Sequence, residues 1–292
     1  MSIKNVVICG LGALGLVYAD KLNKICNLKI LVDDTRYKNL KNNSPIFNDK
    51  KIKLNYILPT SNTKADLIII STKSNGLKSA IKNIKNIIDK NTIIISLING
   101  ISSEKEISLE YPNIKVLKSY FIGHSAMKID GKYYQDGIGK IVFEEDDDLE
   151  LFFKDNKIEY EISNNINYSL WVKLGVNIVL NQLSAINNML VGDLRNAKDF
   201  YQNVDNLLQE VLEIAEKENI KNLDNYKNDV LNSINLIADD GITSMLQDIR
   251  LKRKTEVEIF SGEIIKLGKK YNIKTPYNEE VYNKIKLIEK EF

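Results

Sequence analysis

The sequence of 292 residues has little cysteine, proline and histidine, with two, four and one of each, and almost no net charge. Cys9 and Cys26 are too few for a disulfide framework, so we expect a reducing, cytoplasmic setting. A formal net charge of +2 argues against binding to nucleic acid or to a membrane surface through a strong basic field. With 43% hydrophobic residues, the composition is that of an ordinary globular protein.

Long apolar runs are also absent. No stretch approaches the ~18 consecutive apolar residues of a membrane span, and the longest runs, at 67–70 and 93–98, have the length of strands. The first residues also lack the pattern of a signal peptide. We therefore expect no membrane partner, and a prior of ~150 residues per domain suggests two domains.

The first half of the chain alternates segments typical of strands with segments typical of helices. Short apolar runs rich in β-branched residues predict strands at 5–9, 28–32, 65–71 and 92–97. Helical spacing of apolar residues occurs between them, at 14–22 and 76–88. Strands separated by helices of this length form βαβ units, so the pattern predicts an α/β domain with a parallel sheet.

The second half shows helical patterns only. Helices are predicted at 170–187, 199–218, 225–237 and 244–271, with a last helix from about residue 278. We place the domain boundary near residue 166, which gives an α/β domain at 1–166 and an all-helical domain at 167–292. Residues 146–165 are acidic and then rich in asparagine, and they predict a linker that ends in an edge strand.

A glycine-rich turn follows the first predicted strand and opens a helix. Its pattern is G-x-G-x-x-G, formed by Gly10-Leu11-Gly12-Ala13-Leu14-Gly15. The first glycine permits a tight turn, the second lets the backbone approach a pyrophosphate, and the third lets helix and strand pack closely. The unpaired N–H groups and the positive end of the helix dipole then face the phosphates. This context predicts a dinucleotide site.

Charged residues follow the second predicted strand, about twenty residues after the turn, where the ribose of a bound dinucleotide is expected. Asp33 and Asp34 would accept hydrogen bonds from the 2′-OH of NADH. Arg36, with Lys38 and Lys41, could instead neutralise the 2′-phosphate of NADPH. Asp34 and Arg36 are therefore candidate cofactor contacts, and a solvated loop is the alternative.

Two further candidates follow strands and therefore lie at the carboxyl edge of the predicted sheet, where ligands bind. Lys73 could meet a phosphate or a carboxylate, or it could be an ordinary exposed lysine. Asn99 precedes Gly100 and could bind a ligand with both its amide donor and its carbonyl acceptor, or it could form an ordinary Asn-Gly turn.

The helix predicted around residues 172–186 is apolar on nearly all sides, with one polar stripe. Lys173, Asn177 and Asn181 fall within an arc of about 80°, Ser184 lies in the same arc, and Gln182 points the opposite way. Buried amides require hydrogen bonds, so the stripe indicates a cavity for a polar ligand; a solvent-facing stripe is the alternative. A partly desolvated Lys173 could protonate a ketone oxygen while the asparagines orient the substrate.

The helix predicted at 244–271 places Glu256 within an apolar face, which is costly unless the carboxylate is paired or faces a cleft. Arg253 could pair with it. Ser244 could contact a ligand, or it could form a capping box with Gln247. The single histidine, His124, is expected in a packed or turn position rather than as the acid, and we expect no metal site.

Four segments of the sequence resemble the ketopantoate reductase family. They are residues 10–15 (GLGALG), 97–100 (LING), 173–181 (KLGVNIVLN) and 244–256 (SMLQDIRLKRKTE). The likeness extends through most of the chain. It implies a Rossmann-type NAD(P)-binding domain at 1–166, an all-helical substrate-binding and catalytic domain at 167–292, and reduction of 2-dehydropantoate to (R)-pantoate by hydride transfer from NADPH, a step of pantothenate biosynthesis.

The resemblance also implies roles for individual residues. Lys173 matches the family's general acid. The residues that match its substrate contacts are Asn99, Asn177, Asn181 and Ser244. The residues that match its cofactor contacts are those of the glycine turn with Lys73, Asn99, Ala126 and Glu256.

Two positions depart from the family pattern. The family's further substrate asparagine falls on Val191, with Asn188 nearby. Asp33 and Asp34 stand where NADPH-using members often have a basic residue, which makes NADH an alternative cofactor. The alternative function is a broader 2-oxo-acid reductase or 2-hydroxy-acid dehydrogenase, and a third is a non-catalytic nucleotide sensor. We expect a small 2-oxo acid as the substrate and a monomer or homodimer.

Overall fold

The structure is a computed structural model that describes residues 2–123, 125–129 and 131–292. It divides into two compact units, Met1–Ile166 and Asn167–Phe292. The division falls where the sequence changes from alternating strand and helix patterns to helical patterns alone. His124, the single histidine, lies outside the described residues.

The strands lie in the first unit. In chain order they are β1 (Asn5–Cys9), β2 (Asn27–Leu31), β3 (Ile46–Phe47), β4 (Lys50–Lys51), β5 (Tyr56–Ile57), β6 (Leu67–Ile70), β7 (Ile93–Ser96), β8 (Lys115–Leu117), β9 (Ser119–Ile122), β10 (Ser125–Ile129), β11 (Lys132–Asp136), β12 (Lys140–Phe143) and β13 (Tyr160–Ile162).

The helices occur in both units. They are α1 (Ala13–Leu22), α2 (Asp34–Asn42), α3 (Leu77–Asn83), α4 (Ser103–Glu110), α5 (Asp147–Asp155), α6 (Ile166–Val176), α7 (Gln182–Asn187), α8 (Val191–Arg195), α9 (Phe200–Lys217), α10 (Tyr226–Asn235), α11 (Ser244–Arg250), α12 (Ser261–Tyr271) and α13 (Pro276–Ile288). A π-helical segment, Asn177–Asn181, joins α6 to α7. Short 3₁₀ helices lie at Ser74–Gly76, Leu223–Asn225, Val257–Ile259 and Glu289–Glu291.

A six-stranded parallel sheet forms the core of the first unit, in the order β5-β2-β1-β6-β7-β8. The strands β6 and β7 are buried along their whole length, because helices or other strands cover both faces. The chain leaves β1 toward β2 on one side, and β6 lies on the other. The predicted α/β fold with a parallel sheet is therefore confirmed, and its topological switch point lies between β1 and β6.

Two smaller sheets complete the first unit, in the orders β10-β11-β3-β4 and β13-β12-β9. The predicted edge strand is confirmed as β13, which pairs in parallel with β12. The linker predicted at 146–165 is wrong, because α5 occupies its first half. The cause is an apolar face on this helix that buries Leu149, Phe152 and Phe153, with Phe153 in edge-to-face contact with Phe143 at 5.5 Å between centroids.

The second unit, every residue of which is described, contains helices only. The π-helical segment and α7 lie at its centre, since α7 contacts α8, α11 and α13 and the π-helical segment contacts α9 and α11. The helix predicted at 170–187 is therefore present but is interrupted by the π-helical segment. A π-helical turn contains about one residue more than an α-helical turn, and such turns are frequent at functional sites.

The single long helix predicted at 244–271 is wrong. Helix α11 ends at Arg250, and the chain leaves it through Lys252 in the left-handed conformation (φ 49°). The Lys252 N–H donates to the carbonyl of Ile249 (3.0 Å) and the Arg253 N–H donates to that of Asp248 (2.8 Å), the paired bonds of a Schellman ending. The ending has lysine where glycine is usual, so the sequence lacks the usual signal.

None of the helices in the described ranges is both long enough and apolar enough to cross a membrane.

Candidate functional site

The glycine turn closes against the strand end of β6. A Cβ atom on Gly10, whose φ is +109°, would lie 2.6 Å from the backbone nitrogen of Thr72. A Cβ atom on Gly15 would lie 2.0 Å from the carbonyl oxygen of Gly10, so glycine is required for α1 to start here. The Ser71 hydroxyl donates a hydrogen bond to the same carbonyl at 2.7 Å. Ser71 is a contact that sequence reasoning missed, because nothing local links it to Gly10.

Gly12 faces open space. The nearest atom to a Cβ atom built on it is the Ser71 carbonyl oxygen at 4.0 Å. Gly12 is also the N-cap of α1 and has no side chain to bond the first-turn N–H groups. These N–H groups and this space fit the pyrophosphate of a dinucleotide, in agreement with the motif. Leu11 is buried, and the half-buried Leu14 packs against the core.

The charged residues after β2 lie on a helix, not on the solvated loop that was the alternative. Asp33 is the N-cap of α2 and accepts a hydrogen bond of 2.8 Å from the Arg36 backbone N–H. Asp34 and Arg36 are exposed in the first turn. Burial raises the pKa of the Cys9 thiol, at the end of β1, to about 12, and the Arg36 guanidinium opposes this shift. Arg36 therefore lies near enough to the end of β1 to act on it electrostatically.

The candidates that follow β6 and β7 lie at the same edge of the sheet, because these strands are parallel neighbours. Lys73 is exposed and is the N-cap of the 3₁₀ helix Ser74–Gly76. Asn99 is half-buried and precedes Gly100, whose φ is +96°. Ala126, on β10, is half-buried against the core. The carboxyl edge of the sheet therefore carries the glycine turn, Lys73 and Asn99 together.

A buried carboxylate lies five residues after Asn99, in the first turn of α4. Burial raises the pKa of the Glu104 carboxyl to about 7, although its own backbone N–H, the Ser103 hydroxyl and the Lys118 charge each lower it. The Ser103 hydroxyl donates to Glu104 Oε2 at 3.0 Å. Sequence reasoning missed this group, because Glu104 is one acid among several in a helix that looks exposed.

Three of the predicted substrate residues contact one another in the second unit. The Asn181 side-chain Nδ2 donates to Asn177 Oδ1 at 2.8 Å. Asn181 Oδ1 accepts from the Ser244 hydroxyl at 3.1 Å and from the Met245 backbone N–H at 3.3 Å. The polar cluster of Asn177, Asn181 and Ser244 thus joins the π-helical segment to the start of α11.

One polar atom of this cluster lacks a partner. Asn177 is buried, and its Nδ2 makes no hydrogen bond with any residue that the structure describes. Leaving a buried donor unpaired costs about 1–3 kcal/mol, so such an atom in a polar cluster points to a ligand acceptor. Lys173, one helical turn earlier and in the last turn of α6, is half-buried. The solvent-facing alternative for this stripe is therefore wrong.

The capping box proposed as the alternative for Ser244 is also wrong. Thr243 is the N-cap of α11, and its hydroxyl accepts from the Leu246 backbone N–H at 3.2 Å. The Ser244 hydroxyl is left to bond Asn181. Ser184, in contrast, is structural: it is fully buried and donates to the Met189 carbonyl at 2.6 Å.

Gln182 belongs to a buried network that sequence reasoning missed. Its Nε2 donates to the Ile178 carbonyl at 2.9 Å, inside the π-helical segment, and to the Ser261 hydroxyl at 2.8 Å. Ser261 in turn donates to Asn278 Oδ1 at 2.7 Å, and Asn278 donates to Glu210 Oε2 at 2.8 Å. The network ties the segment that carries Asn177 and Asn181 to α9, α12 and α13.

Glu256 does not project from a helix face as predicted, since it lies between α11 and the 3₁₀ helix Val257–Ile259 and is half-buried. Arg253 forms an ion pair with Asp248, with 2.9 Å between Nε and Oδ1. Its ion-pair partner is therefore Asp248 and not, as the alternative predicted, Glu256. Val191 is 1% exposed and packs in the core. Asn188 Oδ1 accepts from Arg250 Nε at 2.9 Å.

Comparison with known families identifies the family to which the chain belongs. The family model described as ketopantoate reductase PanE/ApbA matches residues 6–148, and the model of its C-terminal part matches residues 165–289. Each model thus falls almost wholly within one of the two compact units. Together they cover most of the chain, and they include the glycine turn, the π-helical segment and Glu256.

Individual relatives agree. The 2-dehydropantoate 2-reductase of Streptococcus pyogenes serotype M6 is 26% identical over 288 residues, which covers 93% of this chain and 94% of the relative. That of Aquifex aeolicus is 29% identical over 238 residues, which covers 77% and 76%. A ternary structure of D-mandelate dehydrogenase with NADH and anilino(oxo)acetate has a TM-score of 0.88 at 23% identity, covering 98% of this chain and 99% of that one, and this shows the shared fold.

Proposed function

This chain belongs to the ketopantoate reductase family of oxidoreductases, and from that premise we propose that it reduces 2-dehydropantoate to (R)-pantoate with NADPH. The observation that carries the proposal is the unpaired Nδ2 of buried Asn177, within the polar cluster of Asn177, Asn181 and Ser244. An amide donor held in this way is suited to an acceptor of the substrate, such as a carboxylate or a hydroxyl oxygen.

The first unit binds the dinucleotide in this proposal. The open space at Gly12 and the uncapped N–H groups of α1 support binding of the pyrophosphate there. Lys73 and Asn99, at the same edge of the sheet, would hold the phosphates and the nicotinamide end, and Ala126 is a further contact by family likeness. When bound, a reduced nicotinamide dinucleotide supplies a hydride for the ketone carbon.

The second unit holds the substrate and supplies the proton. The Lys173 ammonium donates a proton to the ketone oxygen as the alcohol forms, and the neutral amine that remains regains a proton from solvent. Asn177 and Asn181 orient the substrate, and Ser244 holds Asn181 through the bond of 3.1 Å. Glu256 contacts the cofactor by family likeness.

We propose NADPH as the cofactor because the arrangement of charged residues after β2 favours it. Asp33 already accepts the N–H of Arg36 as a helix cap, while the Arg36 guanidinium is exposed and available to a 2′-phosphate. Asp34, exposed beside it, favours NADH instead. A ten-fold preference corresponds to only ~1.4 kcal/mol, so NADH remains the alternative cofactor.

A broader 2-oxo-acid reductase is the alternative function. The observation that favours it is Val191, which is buried where the family's further substrate asparagine is expected. Asn188 offers no simple replacement, because its side-chain oxygen is bonded to Arg250. In either case we propose a small-molecule substrate and a monomer or homodimer, and for reduction of 2-dehydropantoate we propose a role in pantothenate biosynthesis. A cytoplasmic location is supported by Cys9 and Cys26, which form no disulfide.

The decisive experiment compares 2-dehydropantoate with a panel of branched and aromatic 2-oxo acids, each with NADPH and with NADH. A kcat/KM for 2-dehydropantoate with NADPH at least ten-fold above the others supports the proposal. A higher value for another 2-oxo acid supports the alternative. Dinucleotide binding without turnover of any 2-oxo acid would indicate the non-catalytic sensor and overturn both.

Variants of Lys173 test the mechanism. If the ammonium is the proton donor, Lys173→Ala should lower kcat by about 10²–10⁴-fold. Lys173→Arg should recover little, because a guanidinium keeps its proton at neutral pH. Lys217→Ala is the matched control, since Lys217 is an exposed lysine that also lies in the last turn of a helix. Near-normal turnover of Lys173→Ala would remove this residue from the role.

A further inference from the structure

Glu256 lies in a part of the second unit that has little regular structure of its own. Residues 251–256 join α11 to the 3₁₀ helix Val257–Ile259, and the Glu256 carbonyl accepts the Ile259 N–H at 3.1 Å. Functional groups on loops are held less precisely than groups on helices or strands, unless neighbouring side chains fix the loop. The contacts of this segment therefore decide how precisely Glu256 is placed.

Thr255 connects the residues before and after Glu256 to one hydrogen-bond acceptor, the carboxylate of Glu289. Its backbone N–H donates to Glu289 Oε1 at 2.8 Å, and its hydroxyl donates to the same oxygen at 2.7 Å. The Thr255 hydroxyl also accepts from the Val257 backbone N–H at 3.3 Å. The residue before Glu256 and the residue after it are thus bonded, directly or through one hydroxyl, to the carboxylate of Glu289.

Glu289 is built to remain a charged acceptor. Its side chain is 2% exposed, and Oε2 lies 3.1 Å from Lys286 Nζ and 3.5 Å from Lys254 Nζ. Burial raises the pKa of the Glu289 carboxyl, but the hydrogen bonds from Thr255 and the Lys286 charge outweigh burial, so the net pKa lies below the ordinary value. A carboxylate with both oxygens engaged accepts charge-assisted hydrogen bonds, which are roughly twice as strong as neutral ones.

We propose that Glu289 is a positioning residue, which acts through Thr255 to fix the backbone on both sides of Glu256 and so tunes cofactor binding. The proposal rests on the proposed function, in which Glu256 contacts the dinucleotide. Glu289 is 33 positions from Glu256 in sequence and belongs to the 3₁₀ helix after α13. It touches neither substrate nor cofactor in this proposal, and its effect appears only in how Glu256 is held.

Kinetics of four variants test the proposal. Glu289→Ala and Thr255→Val should raise the KM for NADPH about ten-fold, while the KM for the 2-oxo acid stays within two-fold. Thr255→Ser keeps the hydroxyl and should restore the KM for NADPH to within two-fold of the original. Glu258→Gln is the matched control, because exposed Glu258 also contacts Lys286, at 3.1 Å, but not Thr255. Losses as large in Thr255→Ser or Glu258→Gln would overturn the proposal.

A double-mutant cycle separates positioning from general stability. If Glu289 acts through Glu256, Glu289→Ala should raise the KM for NADPH no further in a Glu256→Gln background. Equal factors in both backgrounds would show that Glu289 acts independently of Glu256, and would contradict the proposal. Should Glu289→Ala fail to fold, Thr255→Val carries the same cycle.

Hydrogen exchange gives a readout that does not depend on turnover. In Glu289→Ala or Thr255→Val, amides in the peptide spanning 251–260 should exchange at least ten-fold faster, whereas Glu258→Gln should leave them unchanged. Unchanged exchange in the first two variants would overturn the positioning role, even in an active enzyme. Faster exchange in a protein that turns over no 2-oxo acid would support the positioning role while the proposed function failed.

Discussion

The Ser244 hydroxyl donates a hydrogen bond of 3.1 Å to Oδ1 of Asn181, although the two residues are 63 positions apart in sequence. Ser244 opens α11, and Asn181 closes the π-helical segment. The bond is possible because the neighbouring Thr243 caps the helix and leaves the Ser244 hydroxyl for another partner. The two adjacent hydroxyls therefore form different hydrogen bonds, and variants of Thr243 and Ser244 should separate effects on stability from effects on activity.

Alanine at each of these positions should affect a different property. Thr243→Ala removes the cap and should lower the free energy of unfolding by about 1 kcal/mol, as measured by urea denaturation. Ser244→Ala should change the free energy of unfolding by less than about 0.5 kcal/mol. It should nevertheless raise the KM for the 2-oxo acid about ten-fold, because Asn181 loses one of its two donors. A loss of unfolding free energy in Ser244→Ala, with no loss in Thr243→Ala, would instead identify Ser244 as the helix cap.

Asn177→Asp tests whether the unpaired amide donor serves the substrate. The variant keeps an oxygen for Asn181 Nδ2 but replaces the Nδ2 of Asn177 with a second oxygen. An oxygen repels the substrate acceptor, so binding of the 2-oxo acid should weaken by at least ten-fold, measured as the KM or by titration with the product. Binding of NADPH serves as the control and should change by less than two-fold. Unaltered binding of the 2-oxo acid would exclude this contact.

Two glycines of the turn should respond differently to alanine. In Gly12→Ala the new Cβ enters open space, so the melting temperature should hold while NADPH binding falls at least ten-fold. In Gly15→Ala the new Cβ meets the Gly10 carbonyl at 2.0 Å. This variant should therefore lose NADPH binding and, in addition, about 1–3 kcal/mol of the free energy of unfolding. Thermal unfolding and NADPH fluorescence measure the two effects. Normal NADPH affinity in Gly12→Ala would show that the pyrophosphate binds elsewhere.

Glu104 predicts a specific dependence of stability on pH. Its pKa rises to about 7 in the folded state because burial disfavours the charge, so folding favours the protonated form. Stability from this group is complete below the unfolded pKa of 4.5 and declines as the pH rises through 7. At about 1.4 kcal/mol for each pH unit between the two pKa values, the decline is roughly 3 kcal/mol.

The variant Glu104→Gln isolates this effect, because glutamine resembles the neutral carboxyl and does not titrate. Its free energy of unfolding should change less between pH 5 and pH 8 than that of the original protein, measured by urea denaturation at each pH. Glu106→Gln, a change to a half-buried acid in the same first turn, is the control. Parallel pH profiles for the original protein and Glu104→Gln would place the Glu104 pKa near its ordinary value.

Much of the α/β unit could be predicted from the sequence because its signals are local. The strand β1 falls at its predicted bounds, and β6 and β7 lie within theirs, since runs of β-branched residues suit strands buried on both faces. Backbone geometry requires glycine at Gly10 and Gly15, whereas a Cβ atom on Gly12 would enter open space. Short strands such as β3 and β5 were not predicted, because two residues carry no periodicity.

The contacts of the second unit could not be predicted in the same way. Helical spacing correctly grouped Asn177 and Asn181, but it indicated neither the π-helical segment nor the buried partners of Gln182. It also extended one helix through Lys252, because apolar residues keep a helical period across the break. The buried partners of Gln182 are distant in the chain, and the helix end at Lys252 lacks the glycine that usually marks such an ending, so no local pattern records either feature.

The order of amino acids alone determined the main strands of the parallel sheet and the glycine-rich turn after the first of them, since both follow from interactions over a few neighbouring residues. Tertiary packing decided the partners: Asn181 for Ser244, Ser261 for Gln182 and Glu289 for Thr255. The physical reason is that a polar side chain taken out of water must find hydrogen bonds, and folding alone brings the matching groups within 3 Å or so of one another.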